Sequence, residues 1–323
     1  MANDQVERKL EHLKEMRASG ASDVTLQELR KALRDKVNVV VAKAADILGE
    51  WQAVTLLPDL LEAFSRLLDH PEADQQCWGK NALSKSIKNL GYSESALLLR
   101  GLKHHQYESV WGGKVDTAGA LRATCAFAIV QCVDIPRHAI LVHLVDALAD
   151  SDARVRADGL RALAQMGGRD VELLLRLKAH AGDQDIRVMG QVFECILQME
   201  GNPAVPFIAE FLRHTNEEVS DEAALALGAS RLQVAADLLI QKWTDSKLKH
   251  TQSILLRAIS VSRLDSALSF LIDQVRISRA TIAEDALRAL ELHKDSEEIV
   301  KRIEDAIGSR DELHALFEKE FKS

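Results

Sequence analysis

The chain has 323 residues, enough for two ordinary domains or one elongated array, with 47% hydrophobic residues, 4% aromatic and five prolines. That composition supplies an Ala- and Leu-rich core and excludes a typical sandwich or barrel, which would need β-branched and aromatic alternation that the sequence lacks. A net charge of −8 argues against a nucleic-acid coat, and the longest apolar run, near residues 124–133, falls far short of the roughly 20 residues that span a bilayer.

The first residues, Met1-Ala2-Asn3-Asp4, start no signal-peptide core, so the cytoplasm is the expected compartment. Residues 4–18 predict a charged amphipathic helix with Val6, Leu10 and Leu13 on one face, ended by Gly20; it is expected to cap whatever follows, as a segment 1–23. Thr25-Leu26-Gln27-Glu28 has capping-box spacing and is expected to open the next helix. From there the chain repeats itself. Aligned on Val155, equivalent positions fall at Val37, Trp78, Asp116, Val188, Val219, Thr251 and Ile282, with spacings of 41, 38, 39, 33, 31, 32 and 31 residues. A period of this size marks stacked helical hairpins, each too small to bury its own apolar face.

The second helix of each unit carries the clearest pattern. Val155, Gly159, Leu160 and Leu163 lie at i, i+4, i+5 and i+8, on one face of a helix, and Val219, Ala223, Ala224 and Leu227 repeat the set, as do Ile282, Ala286, Leu287 and Leu290. Apolar first helices precede them near residues 140–148, 171–177, 205–212, 234–240 and 267–275, separated by polar turns such as Asp150-Ser151-Asp152 that place N-cap residues. The expected fold is therefore all-α, an α-solenoid of about eight hairpins over residues 24–307, irregular to about 135 and regular from 136 to 292, with a C-terminal helix over 308–323. No strand is expected. In that last helix Leu313, Leu316, Phe317 and Phe321 form one apolar face.

Asp152-Ala153-Arg154-Val155-Arg156 followed by Gly159-Leu160-Arg161-Ala162-Leu163, with a partial copy at Asp185-Ile186-Arg187-Val188, resembles the HEAT-repeat family. The 31–33-residue period is similar to the short, phycobilin-lyase-type variety. The resemblance implies a superhelical stack in which a turn Asp and a helix Arg ladder between repeats; Asp152 and Arg156 fit that role, whereas Met189 and Gln252 leave it broken. It implies no particular activity, since one solenoid hosts many functions.

Enzymatic relatives find little support in the residues. There is no His-Glu dipeptide such as the iron-dependent hydroxylases of this fold use, the expected inner row is too mixed for a DNA glycosylase groove, and nothing identifies a bilin pocket. Cys77, Cys125, Cys132 and Cys195 lie apart without a CxxC pair and read as small buried hydrophobes. His104-His105 would diverge by about 100° on a helix. No catalytic residue, metal or cofactor is assigned, and the expectation is a non-enzymatic scaffold that binds another protein.

Two surfaces are candidates for that contact. One is a row six residues after each alignment position, Lys43, Ser84, Arg122, Arg161, Glu194, Leu225, Arg257 and Arg288, expected to be exposed and partly basic; the alternative is local pairing, as Asp158 with Arg161. The other is the long turn of the third repeat, residues 103–115, with Tyr107, Trp111 and the pair Gly112-Gly113, where later repeats have short turns. Between Lys80 and Arg122 seven Lys/Arg face three acids, a local +4. Lys103, His104, Tyr107, Trp111, Lys114, Arg122 and Arg161 are therefore the expected partner-binding residues, for a protein with an acidic segment. A nucleic-acid or anionic-ligand binder is the first alternative, and a lyase-type or accessory enzyme subunit the second.

Overall fold

The computed structural model describes residues 2–322, with side chains from Asp4 onward. The chain divides into two compact units, Met1–Met166 and Gly167–Ser323. In the first, helix α1 (Ala2–Ser19) is followed by four hairpins: α2 (Asp23–Ala32) with α3 (Asn38–Glu50), α4 (Leu57–Asp69) with α5 (Trp78–Asn89), α6 (Ser95–Leu102) with α7 (Gly119–Ala128), and α8 (Arg137–Leu148) with α9 (Ala153–Met166). The second unit continues with α10 (Arg169–Ala181) and α11 (Ile186–Glu200), α12 (Val205–Glu210) and α13 (Glu217–Ala229), α14 (Gln233–Asp245) and α15 (Lys249–Val261), and α16 (Asp265–Ile277) and α17 (Ala280–Leu290), then α18 (Glu297–Ile307) and α19 (Asp311–Phe321). Eight hairpins stand among the described residues. Second helices stack on one another, α3 on α5, α7 and α9 in turn, and α11 on α13, α15 and α17.

This stacking follows from the 3.6-residue pattern. Val155, Leu160 and Leu163 of α9 are fully buried, as are Ala223 and Leu227 of α13 and Ala286, Leu287 and Leu290 of α17. Each such leucine removed from water contributes about 1.5–3 kcal/mol. Small residues set the spacing between neighbours. A Cβ at Gly228 of α13 would run into the carbonyl oxygen of Ala258 on α15, so these helices meet backbone to backbone. The polar turns start the second helices as expected: the carboxylates of Asp152 and Asp185 accept the amides of Arg154 and Arg187 at 2.8 and 3.0 Å, and Asn216 accepts that of Glu218 at 2.9 Å.

At the ends, α1 buries Leu13 and Met16 and packs on α3, while α19 buries Leu313 and Phe317 and packs on α17 and α18. Two local expectations change. The second helix is opened by Ser22, whose hydroxyl accepts the Thr25 amide at 3.2 Å while Thr25 Oγ1 accepts the Ser22 amide at 2.8 Å; Thr25 is thus the inner partner of the capping box and Glu28 pairs with Lys31 instead. The third repeat contains strands. Residues Tyr107–Val110 (β1) and Gly113–Asp116 (β2) form an antiparallel hairpin in the register Tyr107 to Asp116, Glu108 to Val115, Ser109 to Lys114 and Val110 to Gly113. Consequently α7 starts at Gly119, after the strand that ends on Asp116. Four-residue strands are too short for their alternation to stand out against the helical pattern around them. Gly112, at φ 93°, supplies the left-handed residue of the two-residue turn.

Candidate functional site

The hairpin rests on a base of buried polar contacts, and this base determines which side chains are free. Gln106, just before β1, and Glu108 within it are two residues apart, and their side chains meet on one side of the chain. Glu108 Oε1 accepts the Gln76 amide at 2.6 Å, the Gln106 amide group at 2.5 Å and the Thr117 hydroxyl at 3.1 Å. Burial raises the Glu108 pKa, but these hydrogen bonds outweigh it and hold the carboxyl below its ordinary value. Gln106 Nε2 also donates to the Asp74 carbonyl at 2.8 Å. The turn it grips is strained: Gln76 and Cys77 adopt φ 57° and 54°, uncommon for residues with a Cβ. Glu108 from the hairpin thus binds a free amide of the neighbouring repeat exactly where its backbone is least relaxed.

A second anchor holds the same base through β2, whose last residue, Asp116, pairs with Tyr107. Arg122 of α7 is 1% exposed. Its guanidinium grips Asp150 with Nε and Nη2 at 2.7 and 2.9 Å, and Nη1 reaches Asp116 at 2.7 Å and the His104 carbonyl at 3.0 Å. Asp116 accepts, in addition, the Gln106 and Ala118 amides at 3.0 Å and pairs with His105 at 2.8 Å. Burial works against its ionisation, yet the two amides, His105 and Arg122 together take its pKa down to about 2. Arg122 is therefore corrected from an exposed contact to the buried clamp of the hairpin. Ser84, in the same expected row, is buried as well.

The basic character of the stretch shrinks for a related reason. Lys80 is fully buried, 3.3 Å from both the Asp74 carboxylate and the Leu67 carbonyl, and Asp74 in turn caps α5 through the Gly79 and Lys80 amides. His104 is half-buried, and desolvation, reinforced by Lys80, lowers its pKa against the hydrogen bond to Gln106. It is expected to stay neutral at pH 7. Arg161, on α9, is exposed but pairs with Asp158 at 2.6 Å, the local alternative foreseen for the row.

What remains outside is compact. Trp111, at the tip, is completely exposed at 104%, and Tyr107 is 64% exposed. In the register Tyr107, Ser109 and Lys114 share one face of the hairpin, with the His105 ring stacked on Tyr107 at 6.1 Å. Val110 and Val115 lie half-exposed on the other face. Beside the base, Lys103 and His104 help line an open cleft of about 440 Å³ with Leu68, Leu99, Arg100 and His105. The structure therefore brings Tyr107, Lys114 and Trp111 together on one rigid projection, with Lys103 and His104 at its foot. Gln106, Glu108 and Asp116 escaped the sequence reading; the polar alternation Gln106-Tyr107-Glu108 was the available signal. Among the described residues no group of three His, Cys, Asp or Glu is arranged to hold a metal, and no helix is long and apolar enough to cross a membrane.

In each unit the second helices stack one on the next, the arrangement of an α-solenoid. Residues 141–228, from α8 to α13, match the family model of HEAT repeats. Among solved structures it is similar to a chain of the complex of CpcE and CpcF of phycocyanin lyase from Nostoc sp. PCC7120, at 14% identity over 87% of this chain and 92% of that one, with a TM-score of 0.34. An engineered protein is similar at 16% identity over 97% of both chains, with a TM-score of 0.29. No curated protein matches the sequence.

Proposed function

We propose that the protein is a non-enzymatic interaction scaffold that docks a protein partner through the β1–β2 hairpin, with Trp111 and Tyr107 as anchors. The observation that carries this reading is a fully exposed tryptophan on a projection whose base is fixed by Glu108 and Arg122. Leaving such a ring in water forgoes roughly 4–6 kcal/mol, taking about 150–250 Å² at 25 cal/mol per Å². A rigid base means that little ordering entropy is lost when the ring is buried in a partner, the condition under which aromatic anchors become hot spots. Lys103 and Lys114 flank the aromatics and suit an acidic partner segment.

The nucleic-acid alternative is weaker because two of its arginines, Arg122 and Arg161, already have carboxylate partners. The test is affinity purification from the native cells with wild-type bait and with a Tyr107→Ala/Trp111→Ala variant. The variant should fold with an unchanged circular dichroism spectrum and lose the partners that wild type retains. Identical partners from both baits would refute the proposal. If the same variant leaves the partners in place but their capture falls steeply between 50 and 200 mM salt, the basic side chains rather than the aromatics carry the contact, and the reading also fails.

A further inference from the structure

We propose that the outer edge of β2 pairs with the same edge of a second copy of this chain, joining two hairpins into a four-stranded antiparallel sheet about a two-fold axis. The Thr117 amide donates to the Gln106 carbonyl at 2.9 Å, which makes Gln106–Thr117, Glu108–Val115 and Val110–Gly113 the hydrogen-bonded pairs of the hairpin. The intervening residues of β2, Lys114 and Asp116, therefore turn their amides and carbonyls away from β1. No other backbone or side-chain group bonds to those four groups among the described residues. Lys114 and Val115 are exposed, so the edge is open to another strand.

Charge decides both the occupant and the register. With the axis at Val115, two copies set Lys114 opposite Asp116 twice, as hydrogen-bonded pairs, and Val115 opposite Val115 as a non-hydrogen-bonded pair. Moving the axis by one residue either way opposes Lys114 to Lys114 or Asp116 to Asp116, and the corresponding pairing of two β1 edges opposes Glu108 to Glu108. A lysine on an edge strand ordinarily deters pairing, because its charge is left unanswered. Here each Lys114 meets the hairpin base of the other copy, where two carboxylates, Asp116 and Asp150, share the single guanidinium of Arg122. On the opposite face Val115, 49% exposed, gains its own counterpart at a Cβ separation of about 4.5–5.5 Å. Neither Trp111 nor Tyr107 carries this contact, which therefore stands apart from the docking role.

Disulfide trapping in the full chain reads the register directly. The four native cysteines are buried and stay out of the reaction. Under mild oxidation Val115→Cys should give covalent dimers quickly. Val110→Cys, equally exposed on the same face but one strand away from the axis, should lag by roughly tenfold or more, its Cβ lying beyond disulfide reach of its counterpart. Sedimentation equilibrium of wild type should show a reversible dimer as the concentration rises to about 1 mM, the range of small interfaces. Lys114→Glu turns two attractive pairs into repulsive ones and should weaken that dimer roughly tenfold. The Tyr107→Ala/Trp111→Ala variant should dimerise as wild type does, so that loss of docking and loss of pairing are told apart. Wild type that stays monomeric throughout, equal trapping at residues 110 and 115, a Lys114→Glu dimer as tight as wild type, or a dimer abolished by the aromatic variant would overturn the proposal.

Discussion

Replacing Arg122 with Met tests whether the hairpin is held from beneath. The guanidinium makes four contacts to Asp150, Asp116 and the His104 carbonyl, and both carboxylates are largely shielded, at 10% and 14% side-chain exposure. Methionine fills the aliphatic volume but leaves two buried carboxylates facing each other without a cation. Breaking a buried pair in this way costs about 3–5 kcal/mol, most of it the uncompensated charge rather than the lost attraction. Arg122→Lys keeps the charge and forfeits the two-pronged grip on Asp150, at about 1–2 kcal/mol. Adding Asp150→Asn to Arg122→Met should recover part of the loss, because the two sites share one network. Urea unfolding followed by fluorescence is suited to this, since Trp51, Trp78 and Trp111 lie in the first unit and only Trp243 in the second. Amide exchange across residues 107–116 should accelerate in parallel. An Arg122→Met protein within about 0.5 kcal/mol of wild type, the range of ordinary surface changes, with an equally protected hairpin would refute the reasoning.

Three further outcomes follow from the same contacts. Asp116 has its pKa depressed to about 2 from an ordinary 3.8, so its stabilisation is complete above pH 4 and is lost as the pH falls through 2, about 2 kcal/mol in all; Asp116→Asn should abolish that part of the acid dependence in denaturant titrations between pH 2 and 5. Gly228→Ala should destabilise the second unit by about 3 kcal/mol or more, because the added methyl meets the Ala258 carbonyl of a packed helix and not a movable side chain; thermal unfolding measures it. Cys77 and Cys125 are buried and their thiols pushed up, Cys77 to about 11, so both should resist a thiol reagent at pH 7.5 until the chain unfolds, when they should label fully.

The regular repeats were legible because their demands are periodic. Leu160, Leu163 and Leu287 must recur at fixed spacing for second helices to stack, and a fixed spacing is what a sequence displays. The hairpin was legible only as an excess of residues around Tyr107 and Trp111; its strands span four residues each, and what stabilises them is tertiary. Glu108 reaches a strained amide in the preceding repeat, and Arg122 reaches Asp150 in the following one. Neither pairing has a spacing rule, so an arginine at a row position looked the same as its exposed counterparts at Arg257 and Arg288. The same irregularity that hid the clamp explains why the clamp is needed. A two-stranded hairpin is marginal on its own, and in an array whose repeats each touch only their neighbours it can be held rigid only by ties to both of them. Glu108 on one side and Arg122 on the other are those ties, and they leave Trp111 as the end of the projection, fixed in place and uncovered.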